Sequence, residues 1–165
     1  MHAREHETMT PRIITVAAAK GGVGKTTLAY ETAAALGGVL VDLDWDAGGA
    51  TRMWGFDPLK AARAPLLDAL ERGPEGRPPR VKRRANQPSL VPAHPDLSAS
   101  RIDSDLVADC LRAWADHWQE PYGVVDTHPR RFFTFDAAAD RPATFTSTSQ
   151  AALTHPTATH TNYTA

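Results

Sequence analysis

The segment Lys20-Gly21-Gly22-Val23-Gly24-Lys25-Thr26-Thr27 limits what this chain can fold into more than any other stretch of it. Ahead of it, Ile13-Ile14-Thr15-Val16 is a β-branched run of the kind that forms a buried strand, and Ala17-Ala18-Ala19 leads from that run into the glycines. Behind it, Thr26 to Leu36 reads as a helix, with Leu28, Thr32, Ala35 and Leu36 on or near one stripe and Gly37-Gly38 as its stop. In the order strand, glycine-rich turn, helix, bare backbone N–H groups and the positive end of a helix dipole converge on an anion. A plain strand-to-helix turn with surface lysines also uses glycines, but it does not call for all eight of these residues.

A loop that grips a triphosphate puts Lys25 at the β- and γ-phosphates and the Thr26 hydroxyl on Mg²⁺, with Thr27 able to donate to the α-phosphate. The general phosphate-loop pattern asks for Gly at the position held by Ala19, and this chain instead carries a second lysine, Lys20, just ahead of the glycines. On these residues the sequence resembles the ParA/MinD group of P-loop ATPases, whose deviant Walker A box reads KGGVGKTT. The ParA branch of that group commonly lacks the leading Gly, in keeping with Ala19. The resemblance implies that Lys20 contacts the nucleotide of the partner subunit when two subunits sandwich ATP.

The rest of the chain supplies further elements. Val39 to Leu43 reads as a second strand, apolar except for Asp42, with further strands at Ser89 to Pro92 and Gly123 to Asp126. Leu59 to Arg72 has Leu66, Leu67 and Leu70 at helical spacing, with Pro65 either kinking the helix or marking its start. Asp103 to Gln119 repeats Leu106, Cys110, Leu111, Trp114 and Trp118 at three- and four-residue steps, which makes the tryptophans core anchors and Cys110 a small buried hydrophobe. Strands alternating with helices give the expected class: an α/β P-loop NTPase, mostly parallel sheet flanked by helices, incomplete in its C-terminal half.

Asp42, Asp44 and Asp46 stand at alternate positions where the second strand ends. Continued as a strand they would form a like-charge row that needs a cation, and otherwise they open a polar turn before Gly48-Gly49. The resemblance implies more. ParA-like proteins carry Asp-x-Asp-Pro-Gln here, Asp42-Leu43-Asp44 matches the first half, and Asp44 takes the place of the water-orienting residue. Asp42 is a further candidate for the metal, Trp45-Asp46 replaces Pro-Gln, and Ala50-Thr51 follows at nearly the family's offset. Ser89 to Ala93 resembles the family's strand ending in Pro and a small residue. Tyr122 to Pro129 resembles its Walker B strand, which implies that Asp126 holds Mg²⁺ through a bound water, with His128 a loop side chain.

Composition bounds the remaining choices. The 165 residues carry a net charge of -1 and a single Cys, which fits one domain in a reducing cytoplasm and excludes a chain that is basic overall. No apolar run is long enough to span a membrane, and residues 1–11 read as a flexible polar leader whose His2, His6 and Glu7 are solvated. One Cys also argues against the related iron-protein branch, which holds a cluster with cysteines. Arg77, Arg80, Lys82, Arg83 and Arg84 form a basic cluster that either touches DNA phosphates or lies in a solvated loop. From Pro142 to Ala165 there is no charged residue and 8 of the 24 are Thr. Residues 130–165 are therefore expected to be a non-homologous tail without stable structure, as if the gene were truncated or shifted in frame, which leaves 12–129 as the ATPase part.

What the resemblance implies for function is a ParA-like cytoplasmic ATPase that binds ATP and Mg²⁺ and forms an ATP-dependent homodimer in plasmid or chromosome partitioning. A ParB-like partner and nonspecific DNA are its further expected contacts. Two other readings stay open: a nucleotide-binding fragment without turnover, and another branch of the superfamily such as an ATP-dependent ligase or a polysaccharide-linked tyrosine kinase. Only Tyr163 lies near the end, which does not favour the kinase, and no C-terminal basic amphipathic helix favours membrane binding of the MinD kind.

Overall fold

A computed structural model describes residues 12–18, 20–44, 49–60, 65–78, 85–99, 103–128, 144–147 and 152–154. Ten elements organise them: β1 (Arg12–Ala17), α1 (Lys25–Leu36), β2 (Val39–Asp42), α2 (Gly49–Met53), α3 (Pro65–Glu71), β3 (Ser89–Val91), α4 (Ser104–Ala115), β4 (Tyr122–Asp126), β5 (Thr144–Ser147) and β6 (Ala152–Thr154). The six strands form one sheet in the order β3-β2-β4-β1-β5-β6. All neighbours are parallel except β5 and β6.

The central strands are apolar on both faces, as strands covered by helices on both sides must be. Successive residues point to opposite faces, and the two cores follow that alternation. Val39, Val41, Val91 and Val125 pack on the side of α3 and α4, with Leu66 and Trp114. Leu40, Leu90, Val124 and Val16 pack on the opposite side, with Ala29 and Ala33 of α1 and Trp54. The same count places Asp42 and Asp126, two residues beyond Leu40 and Val124, on the α1 side of the sheet.

Pro65 marks the start of α3, and a separate short turn at Pro58–Lys60 precedes it. α4 is capped by Asp103, whose side chain accepts the Asp105 N–H at 2.9 Å, and buries Cys110, Leu111 and Trp114 as the three- and four-residue spacing requires. Burial pushes the Cys110 thiol up to about 11, which suits an inert apolar role. Trp118 packs against β4 and leaves no room for a side chain at Gly123, where a Cβ would come within 2.5 Å of the Trp118 ring.

Two expectations are corrected. The buried stripe of α1 is Lys25, Ala29 and Ala33, whereas Leu28 and Leu36 are exposed at 37% each. Alanines let the helix axis approach the sheet closely, so tertiary fit chooses the small-residue face over the face with more apolar side chains. The second correction concerns the tail, where 144–147 and 152–154 are strands rather than unstructured chain. Thr144-Phe145-Thr146 are strand-forming residue types, and β5 pairs with an edge of β1 that would otherwise leave backbone groups unpaired. The remainder of 130–165 lies outside the described residues, as does the 1–11 leader with His2, His6 and Glu7.

Candidate nucleotide and metal site

The C-terminal ends of β1, β2 and β4 meet at one edge of the sheet, where ligands of parallel α/β sheets bind. The loop from Lys20 to Gly24 joins β1 to α1 there. Gly22 and Gly24 have φ of +75° and +89°, and a Cβ on either would meet nothing within 4 Å. Backbone handedness therefore demands these glycines, and crowding does not. Gly24 is the N-cap of α1 and supplies no side-chain cap, so the first N–H groups of the helix face the loop without a side-chain acceptor. Along this loop Lys20, Gly21 and Gly22 are exposed, Val23 is half-buried and Thr27 at the start of α1 is exposed.

Lys25 opens α1 and is only 5% exposed. Its burial follows from the helix face: Lys25, Ala29 and Ala33 recur every four residues and point at the sheet. Thr26 is half-buried beside it.

Asp42 and Asp126 are register partners on β2 and β4, and both are 0% exposed. Asp42 is held by the protein. Its Oδ1 accepts the Asp44 N–H at 2.9 Å, and its Oδ2 accepts the Thr51 N–H at 2.7 Å and the Thr51 hydroxyl at 2.6 Å. Burial pushes its pKa up to about 6, against the opposing pull of those donors, and the charge of Asp44 adds to the rise.

Asp126 is different, since neither of its oxygens has a hydrogen-bond partner among the described residues. Burial pushes its pKa up to about 7, and the charges of Asp42 and Asp44 push the same way. The Thr26 hydroxyl and the Lys25 ammonium pull it down from nearby, although the hydroxyl does not reach hydrogen-bonding geometry. A buried carboxylate without partners costs a few kcal/mol unless a cation or donor completes it. The donors present are hard oxygens, and a divalent cation with retained waters fits them. No cluster of three or more His, Cys, Asp or Glu able to hold a metal exists among the described residues.

The structure thus brings Lys25, Thr26, Asp42, Asp44 and Asp126 together, and it leaves Lys20 exposed at the head of the loop. Around them, Thr127 ties β4 to β1 through its hydroxyl on the Val16 carbonyl at 3.0 Å, and His128 is a loop residue that is nonetheless buried. Trp45, Asp46 and the basic residues Arg80, Lys82, Arg83 and Arg84 lie outside the described residues, and Arg77 is exposed. Sequence reasoning noted Thr51 only for its position, and the small residues around it, Gly48-Gly49-Ala50, were the available signal of a tightly packed turn.

No family model matches the sequence, and no curated protein matches it significantly. Solved structures do match the fold. Cobyrinic acid a,c-diamide synthase from Mycobacterium smegmatis, with bound ATP analog and magnesium, is 25% identical with a TM-score of 0.65, over 83% of this chain and 57% of that one. A plasmid partition protein from Borrelia burgdorferi is 23% identical with a TM-score of 0.64, over 84% of this chain and 64% of that one. A Cyanothece McdA–ATP complex is 18% identical with a TM-score of 0.65, over 84% of this chain and 56% of that one. The chain therefore spans between 56% and 64% of the length of these three structures. No helix among the described residues is long and apolar enough to cross a membrane. The chain has the P-loop NTPase fold, and its structural neighbours include plasmid partition proteins, McdA and cobyrinic acid a,c-diamide synthase.

Proposed function

We propose that this chain binds Mg-ATP at the Lys20–Thr27 loop and acts as a ParA-like ATPase in plasmid or chromosome partitioning. One observation carries the reading: the buried carboxylate of Asp126, without a hydrogen-bond partner among the described residues, stands beside Thr26 and Lys25 at the start of α1, which has no side-chain cap. An anion cradle and a cation-seeking carboxylate side by side suit a nucleotide carried with its magnesium ion. The neighbours solved with an ATP analog and magnesium or with ATP support the same pair of ligands.

In this reading the amides of Gly21, Gly22, Val23 and Gly24, together with Thr27, bind phosphate oxygens. Lys25 neutralises the β- and γ-phosphates. Thr26 holds Mg²⁺ directly, Asp126 holds it through a water, and Asp42 stands behind them. The ion supplies charge neutralisation on the transferring phosphoryl group. Asp44 orients the attacking water, and Lys20 reaches the partner's nucleotide in an ATP-dependent homodimer. Positioning and electrostatics account for catalysis of this kind almost entirely. A ParB-like partner and nonspecific DNA are the macromolecules this role calls for, in the cytoplasm.

Phosphate release from ATP by the full chain tests the enzyme reading, with Asp44→Ala expected to keep ATP binding and lose turnover. Sedimentation with a non-hydrolysable ATP analogue tests dimerisation. ATP binding without turnover by the unmodified chain would leave a nucleotide-binding module. The likeness to the diamide synthase favours a second reading, an ATP-dependent amide ligase, in which ATP is consumed only with a carboxylate acceptor and a nitrogen donor present.

A further inference from the structure

Asp42 has little freedom left in its partners. Its Oδ2 takes both the N–H and the hydroxyl of Thr51, at 2.7 and 2.6 Å, and its Oδ1 takes the Asp44 N–H at 2.9 Å. A carboxylate oxygen has about two lone-pair positions, so among the described residues Oδ2 is full and Oδ1 keeps one. The Thr51 hydroxyl is committed in turn, because the Ala93 N–H donates to it at 2.9 Å. A backbone N–H can only donate, so the oxygen of Thr51 is its acceptor, and the hydroxyl proton goes to Asp42. Asp42 and Thr51 are 0% exposed and Ala93 is 3% exposed, so water does not compete for these bonds. One side chain on α2 thereby pins the end of β2 and the segment just after β3.

We propose that Thr51 is a positioning residue of this site: it fixes the Asp42 carboxylate so that a single lone pair of Oδ1 is all Asp42 offers a cation or its water, and Asp126 becomes the principal metal-facing carboxylate. The proposal rests on the Mg-ATP reading of the site. Thr51 acts through Asp42, in the way outer-shell groups orient the groups nearest a metal. Through Ala93 the same hydroxyl ties the setting of Asp42 to the chain leaving β3.

The test is calorimetric titration of the full chain with ATP at graded MgCl₂, for wild type, Thr51→Val and Thr51→Ser. Valine keeps the branched side chain and the backbone N–H and puts a methyl in place of the hydroxyl. Loss of an outer-shell partner commonly weakens metal binding roughly 10–100-fold, so Thr51→Val is expected to raise the Mg²⁺ needed for half-maximal ATP binding by about that factor. Thr51→Ser is expected to restore the wild-type requirement. Thr51→Ala, which also lacks the hydroxyl, is expected to show the same shift and replaces the valine variant should that fail to fold. An unchanged Mg²⁺ requirement in the hydroxyl-free variants, whatever their melting temperatures, overturns the role of Thr51. Absence of Mg-dependent ATP binding by wild type overturns the site reading itself, and the role of Thr51 with it.

Discussion

Asp42 and Asp126 face one another across adjacent parallel strands, fully buried, one accepting three hydrogen bonds and the other none among the described residues. Both carboxyls are pushed above their ordinary value of 3.8, to about 6 and about 7, with burial as the largest cause. A carboxyl whose folded pKa is raised binds more protons folded than unfolded, so its contribution favours the fold at low pH and is lost as pH rises. For Asp42 the loss runs from about pH 4 to about pH 6, and for Asp126 from about pH 4 to about pH 7. Urea midpoints of the nucleotide-free protein are expected to fall over that window. Asp126→Asn, which keeps the shape without the charge, is expected to flatten the fall and to raise the midpoint at pH 7.5.

The loop makes a separate demand on its glycines. Gly24 sits at φ +89° with open space where a Cβ would go, so Gly24→Ala meets backbone strain and no clash. Non-glycine residues in that region cost roughly 1–2 kcal/mol. A stability loss of that size with secondary structure intact is expected by circular dichroism and urea unfolding, together with weakened ATP binding.

The face chosen by α1 can be checked by paired substitutions. Leu28 is half-exposed, so Leu28→Ala is expected to change stability by no more than about 0.5 kcal/mol. Ala33 is fully buried against the sheet, and Ala33→Leu is expected to cost about 1–3 kcal/mol by overpacking. Leu40 lies in the same layer, and Leu40→Ala is expected to cost about 2–5 kcal/mol. Equal effects at Leu28 and Ala33 would place the helix in a different rotation.

Trp54 anchors the turn before β3. Its indole N–H donates to the Pro88 carbonyl at 2.8 Å, and the Gln87 side-chain amide donates to the Trp54 backbone carbonyl at 3.2 Å. Trp54→Phe keeps the apolar ring and leaves the buried carbonyl without that donor. Thermal unfolding is expected to report a loss of about 1–3 kcal/mol.

Local chemistry was legible in the sequence and tertiary fit was not. β1, β2, β3 and β4 announced themselves because each is a short apolar or β-branched run, and the glycine loop because its turn has a residue-specific need. The rotation of α1 was hidden, since alanine carries a weak hydrophobic signal yet allows the closest approach to a sheet. β5 and β6 were hidden by an uncharged Thr/Ala-rich stretch that reads as low complexity until an unpaired edge of β1 is there to receive it. The two aspartates were visible as candidates. That Asp42 is satisfied by Thr51 and Asp126 is not depends on α2, a short helix that no periodicity reveals.

The claim that Lys25, Thr26 and Asp126 form a Mg-nucleotide site is tested most directly by calorimetric binding of ATP to the full chain with and without Mg²⁺, beside Lys25→Ala. Saturable, Mg-dependent binding by wild type is expected, weakened about 10–100-fold in the variant by loss of one charge-assisted contact. Absence of saturable binding by wild type, or equal affinity in Lys25→Ala, would contradict it.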